Sequence, residues 1–306
     1  MSRARELGKP FYAGLAAYGY ALLHSRDGAL VQLRGDIDPT RIARDSNMEL
    51  IERRTFDSRT MHEAGAGGAT PTASEWRYVF HAREDGVTDG LTVKAGDHLV
   101  LDLPNGESLR AGARGVREHA GTKLLGICIF RLPERDDAAN LSLEQITAAL
   151  SDTVAPLSID VQMKGERRGE SDAQPMSNHI TLEVTNDGMA GALMGDGALS
   201  VTLRVPPGSV RGLSRLDGFT SFESLCESSG AGGEGVRQQP RPCGLRRANA
   251  LRFTAPTSMP GETARAVISF DGDPPTSSTT SVQMRVDDGR SYTNEQTLTL
   301  FKGGER

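Results

Sequence analysis

Phe11-Tyr12-Ala13-Gly14-Leu15-Ala16-Ala17-Tyr18-Gly19-Tyr20-Ala21-Leu22-Leu23 is the stretch on which the fold of the first half turns. It holds no charge, and its apolar residues run without clean alternation. Both faces therefore need cover, which predicts a strand in a parallel or barrel sheet running on to Ser25. Arg3, Arg5 and Lys9 lie upstream and invite a second reading, the charged and apolar regions of a signal peptide. Against it, the stretch contains three Tyr and two Gly, Pro10 precedes it, and His24-Ser25-Arg26-Asp27 stands where a small-residue cleavage site belongs. The buried strand is the reading adopted.

Working outward, Ser25-Arg26-Asp27-Gly28 is turn chemistry, and Ala29–Leu33 returns as the second arm of a hairpin. Asp38-Pro39 pairs an N-cap with proline at the first helical position. Residues 57–74 are Gly-rich and read as a loop, and residues 89–96 as a turn region. Trp76–His81 and His98–Leu103 read as strands. Asn105 or Ser108 caps a helix carrying Leu109, Ala113 and Val116, which stops at Gly121. Leu124–Leu132 is the most apolar strand of this half, and Ser142-Leu143-Glu144-Gln145 is a capping box opening a helix through Leu150. Strand, helix, strand, helix predicts βα units and a parallel sheet.

After Asp152 no helical period follows. Short strands are expected at Leu157–Met163, Ile180–Thr185, Leu199–Val205, Leu251–Thr254, Ala264–Phe270, Val282–Val286 and Leu298–Phe301. Asn186-Asp187-Gly188 and Asp287-Asp288-Gly289 are turns between them, and residues 164–177 and 227–242 read as exposed loops. Seven short strands in this span predict an antiparallel immunoglobulin-like β-sandwich. The fold class expected is thus α/β plus all-β: a partial (β/α) barrel-like domain over 1–152 and a β-sandwich over 153–306.

The 306 residues exceed one compact domain, in keeping with two. The formal charge of −5 comes with no basic block, which argues against nucleic acid as a partner. The run Leu124–Phe130 is too short to span a bilayer. There are three cysteines. Cys128, inside an apolar run, is expected in the core. Cys226 and Cys243 bracket a segment rich in Gly, Ser and Gln, and stand either as a disulfide or as two free thiols. A bridge would add about 3 kcal/mol and place the second half in an oxidising compartment.

Pro10–Tyr20 and Leu124-Leu125-Gly126-Ile127-Cys128-Ile129-Phe130-Arg131-Leu132-Pro133 together resemble a bacterial family, domain of unknown function 3142. Its members pair an apolar strand ending in Tyr-Gly-Tyr with a later strand of the Gly-x-x-x-Phe-Arg-Leu-Pro kind, and look like distant relatives of glycosidase-type (β/α) barrels. The resemblance covers about residues 8–150. It implies a barrel whose upstream strands are missing here. A closed barrel needs about 250 residues, so the first half is expected to be an open sheet whose edge and apolar face are either covered by a partner or, the reading favoured, completed by strands from a longer gene, with a lean toward export. The family supplies no established catalytic residue.

In parallel α/β sheets, chemistry gathers at the carboxyl ends of strands. Asp102 ends one expected strand and Glu134 follows another, so these carboxylates are the candidate acid and base for glycoside hydrolysis. The bland alternative for Glu134-Arg135-Asp136-Asp137 is a solvated charge run. Tyr18 and Tyr20 are candidates for stacking on a sugar, or else core residues with satisfied hydroxyls. His81 reads as a buried imidazole. His24, His62, His98, His119 and His179 lack metal-ligand spacing. Asp187, Asp196 and Asp271 beside Gly read as turns rather than calcium ligands. No cofactor or metal is expected. The function these residues suggest is a non-catalytic two-domain protein whose sandwich binds carbohydrate or another protein chain; the alternative is a glycoside hydrolase-like enzyme using Glu134 and Asp102.

Overall fold

The computed structural model describes residues 6–56, 75–133, 138–167, 176–227 and 240–302. The chain divides into two compact units, Met1–Pro156 and Leu157–Arg306, against the expected division after Asp152. In the first unit the strands are β1 (Phe11–Ala16), β2 (Tyr20–His24), β3 (Leu30–Arg34), β4 (Met48–Phe56), β5 (Glu75–Ala82), β6 (Gly86–Thr88), β7 (Leu91–Val93), β8 (His98–Leu103) and β9 (Leu124–Phe130). The helices are α1 (Pro39–Arg44), α2 (Gly106–Ala120) and α3 (Leu143–Leu150). Each starts where the sequence supplies a cap: Asp38, Asn105 and Ser142 accept hydrogen bonds from first-turn amides.

The parallel barrel sheet expected here is not what these strands form. Five strands pair in the order β3-β2-β8-β5-β4, every neighbour antiparallel. Among the described residues of this unit, parallel pairing is confined to β1 and β9. The reason lies at Tyr18-Gly19-Tyr20. The stretch expected as one strand is two, and it changes sheet there. In β2 and β8 the burial alternates, as in an antiparallel sheet: Ala21, Leu23, Leu99 and Leu101 are buried, while Leu22, His24, His98 and Val100 are half-exposed. Tyr78, Phe80 and Ala82 of β5 extend that buried face, with Ile42 of α1 and Leu91 and Val93 of the β6–β7 hairpin buried in the same unit.

The β1–β9 pair is covered on one side. Leu15 and Ile129 pack against a cluster of Ala17, Leu109, Leu141, Ile146 and Ala149, drawn largely from α2 and α3. The opposite face carries Tyr12, Gly14 and Ala16 opposite Gly126, Cys128 and Phe130. Tyr12 is 62% and Phe130 65% exposed. Cys128 is exposed as well, not a core residue, because it falls on this uncovered face. The expectation of an unsealed sheet thus holds for two strands, not for the whole half. The loop expected at 57–74 lies outside the described residues.

The second unit has strands β10 (Ile159–Arg167), β11 (Met176–Asn186), β12 (Leu199–Arg204), β13 (Val210–Asp217), β14 (Ser221–Cys226), β15 (Arg241–Pro242), β16 (Ala250–Ala255), β17 (Thr263–Phe270), β18 (Ser277–Arg285) and β19 (Ser291–Lys302). All seven expected strands are among them. They form one ladder, β13-β17-β11-β10-β19-β18-β12-β16-β14-β15. Its middle is a short parallel contact, Met163 to Leu300, between two antiparallel halves. Alternate residues are buried along the strands: Ile180, Leu182 and Val184; Ala266, Ile268 and Phe270; Leu199, Val201 and Leu203; Val282 and Met284. No helix longer than one turn lies among the described residues of this unit, so the sheet covers its own face by curling into a sandwich. By pairing order alone, β10-β11-β17-β13 and β19-β18-β12-β16-β14 run as the strands of the two immunoglobulin sheets would, with two strands added beyond the third. The chain order departs in the middle, because β13 precedes β14 and β16.

Cys226, the last residue of β14, is bridged to Cys243 just beyond β15, with Cα atoms 5.8 Å apart. Residues 228–239 between them lie outside those described. The bridge closes a loop of 17 residues, for which chain entropy gives about 3 kcal/mol. A Cys226→Ser/Cys243→Ser chain is expected to lose about that much from the urea unfolding of the second unit. Unchanged midpoints would show that the bridge constrains nothing.

The β18–β19 turn carries a second testable group. Asp287 donates its amide to the Gly191 carbonyl, and Arg290 pairs with Asp288. Desolvation first, and the neighbouring Asp288 second, push the Asp287 carboxyl from 3.8 up to about 7. The folded chain then holds a proton that the unfolded chain has released. Stability therefore falls as pH rises between these two values, by at most about 1.4 kcal/mol per unit. Asp287→Asn is expected to flatten that decline, measured as unfolding free energy from pH 4 to 8. A parent profile without the slope would refute it.

Candidate functional site

The joint between the β1–β9 pair and the five-stranded sheet is also where three aromatic side chains meet. Ala17 continues the parallel pairing, its amide donating to the Phe130 carbonyl at 2.8 Å. Its own carbonyl accepts from Leu141 at 3.0 Å. Gly19 then donates to the Ala139 carbonyl. A Cβ at Gly19 would lie 2.7 Å from the Ala139 oxygen, 2.8 Å from a Leu103 methyl and 2.9 Å from the Asp102 oxygen. Two of the three obstacles are backbone, which cannot swing aside. Only glycine passes this point, so the flanking Tyr18 and Tyr20 are held on a fixed frame.

Tyr18 and Tyr20, both half-buried, have ring centroids 6.2 Å apart. Tyr18 also meets Phe130 edge to face, at 5.3 Å and 83°. The cluster stands at the carboxyl ends of β1 and β9, with Phe130 largely exposed. Sequence reasoning singled out the two tyrosines and missed Phe130. The signal was present: parallel strands end side by side, so the last residue of β9 stands near the residues that follow β1.

Asp102 lies directly across from Tyr20 on one side and from Arg77 on the other. It is 2% exposed. Arg77 Nε donates to its Oδ1 and Arg77 Nη2 to its Oδ2, both at 2.5 Å. Hydrogen bonding to Asp102, outweighing desolvation, raises the Arg77 guanidinium above its ordinary value. A buried carboxylate gripped on both oxygens clamps β5 to β8. Arg77, which the sequence reading did not single out, is what gives Asp102 this role. Glu134, the other candidate, lies outside the described residues, so no separation between the two carboxylates follows. Among the described residues, no three His, Cys, Asp or Glu side chains gather around a point where a metal ion would sit. No helix among them is long and apolar enough to cross a membrane.

Replacing Gly19 by alanine is expected to destabilise the first unit by about 1–3 kcal/mol through overpacking. A thermal or urea titration of the full chain checks this. Tolerance of Gly19→Ala without loss would mean that the close approach does not exist.

No protein-family model matches this chain, and no curated protein matches its sequence. Among solved structures, it is similar to the collagen-binding subdomain of the Enterococcus faecalis surface protein ACE, at 10% identity over 46% of this chain and 94% of that one, with a TM-score of 0.24. An uncharacterised Nocardia farcinica protein with an immunoglobulin-like fold gives 16% identity over 45% and 97%, with a TM-score of 0.25. The Paenibacillus chitinase ChiW matches at 10% identity over 98% of this chain and 29% of its own, with a TM-score of 0.38. All three TM-scores lie below 0.5, and these likenesses decide neither fold nor function.

Proposed function

We propose that this chain is a non-catalytic binding protein, that the Tyr18–Tyr20–Phe130 cluster is a platform for carbohydrate, and that the β-sandwich is an interaction module. The cluster carries the reading. Three rings converge at one strand end, and the outermost is open to solvent. Aromatic faces held rigidly are what sugar rings stack on, since C–H groups meet the ring while hydroxyls stay wet. Asp102 supports a binding role over a catalytic one, because Arg77 occupies both its oxygens. The Cys226–Cys243 bridge fits an oxidising compartment, where extracellular polysaccharide would be met.

A panel of soluble polysaccharides in affinity gel electrophoresis tests the reading. Retardation by at least one polymer is expected, with affinity about tenfold weaker in Tyr18→Ala and Phe130→Ala. Retardation that both variants retain, or none with any polymer, would overturn it.

A second reading is favoured by one observation: β1 and β9 pair in parallel, Leu109 of α2 packs in the cluster against them, and aromatic residues stand at their carboxyl ends. That is where glycosidase-type barrels, which the resembled family looks like, place their sites. Under this reading Glu134 acts as the acid. Turnover of aryl glycosides, abolished in Glu134→Gln, supports it; binding without turnover leaves the first reading standing.

A further inference from the structure

Four side chains capable of holding a cation stand in one row across the five-stranded sheet. Glu49 of β4 is opposite His81 of β5, His81 is opposite His98 of β8, and His98 is opposite His24 of β2. Directly opposed residues share a face, so all four project from the same side. The two central imidazoles are the close pair. The Ala82 amide donates to the Asp97 carbonyl and the Gly96 amide to the Ala82 carbonyl, both at 2.9 Å, so Ala82 faces Gly96 and Asp97 at a bulge on the hydrogen-bonded side. The next pair along, His81 and His98, is then non-hydrogen-bonded, the geometry that brings facing side chains nearest. Their ring centroids lie 5.4 Å apart, with the planes at 50°.

That separation matches a chelate. A tetrahedral ion with two imidazole nitrogens at about 2.0–2.1 Å holds the ring centroids about 5.2 Å apart. Both rings are half-exposed, so a hydrated ion can reach them. The ends of the row are held elsewhere. His24 stands across the hydrogen-bonded side of β8, and its Nδ1 lies 3.3 Å from the Gly28 carbonyl in its own hairpin. Glu49 is paired to Arg83 at 3.4 Å. The two central imidazoles are thus the pair left for an ion, and no third His, Cys, Asp or Glu joins them in a cluster among the described residues.

We propose that His81 and His98 bind one divalent transition ion of the zinc class across β5 and β8, with water in the remaining positions. The two histidines stand 17 positions apart in the chain, which is why spacing alone gave no ligand pattern. His81, expected as a buried imidazole, instead faces partly into solvent beside its partner.

Zn²⁺ alone, titrated calorimetrically into the full chain in a non-chelating buffer, tests the site. One ion per chain is expected at this site. The His81→Asn/His98→Asn chain should bind about tenfold or more weakly, because no chelate remains, while His24→Asn should bind as the parent does. Equal affinity in the parent and the double variant would overturn the proposal. Should that variant fail to fold, the parent decides. The assigned ring resonances of His81 and His98 should shift together up to one equivalent of Zn²⁺, and rings that stay unmoved would refute the site.

Discussion

A single missing side chain holds the first unit together. At Gly19 the chain passes against the Ala139 and Asp102 carbonyls and the Leu103 side chain, closer than any Cβ tolerates. Those contacts come from the end of β8 and from the approach to α3. The parallel pair, the antiparallel sheet and the helical layer therefore meet where the backbone is bare. The aromatic cluster follows from this constraint. With Gly19 fixed, Tyr18 is left beside Phe130 and Tyr20 begins β2 opposite Asp102. A bulkier residue would change the spacing of both sheets, not merely crowd one spot.

The two units solve the same burial problem differently. In the second, a long ladder curls so that it covers its own apolar face, and the parallel contact between β10 and β19 joins its two antiparallel runs. In the first, five antiparallel strands keep one greasy face and one mixed face, and the mixed face needs only partial cover. The β1–β9 pair does neither. Parallel strands are normally shielded on both sides. Here α2 and α3 shield one, while the other shows Tyr12 and Phe130 to water. A stripe of small residues, Gly14, Ala16 and Gly126, runs between those rings, so the open face is shallow rather than bulky.

Much of this was legible in the residues. Asp38, Asn105 and Ser142 announced the helices, because a capping side chain acts over three residues and needs no tertiary partner. The sandwich strands were legible because one-sided burial writes itself as alternation, as in Val201 and Leu203. Strand direction was not. The run from Phe11 to Leu23 has the composition of a parallel strand, yet half of it pairs antiparallel. The deciding fact is a close approach at Gly19 by residues more than eighty positions away. β4 went unseen because Glu49, Glu52, Arg53 and Arg54 give an edge strand the look of a surface segment. β13 and β14 were hidden by scattered polar residues for the same reason. Asp102 looked like a free carboxylate because its partner Arg77 lies on another strand, and the His81–His98 pair escaped notice because register, not spacing, creates it.

The cross-link between β14 and the strand that follows has a consequence for how this molecule would come apart. A protease that cut once between Cys226 and Cys243 would leave the two fragments tied through sulfur. The nicked molecule would migrate as one species until a reductant was added and as two afterwards. Damage to that stretch would therefore be silent in any assay that reads size without reduction. The outermost strands of one sandwich face would keep their tether after the peptide backbone had been severed.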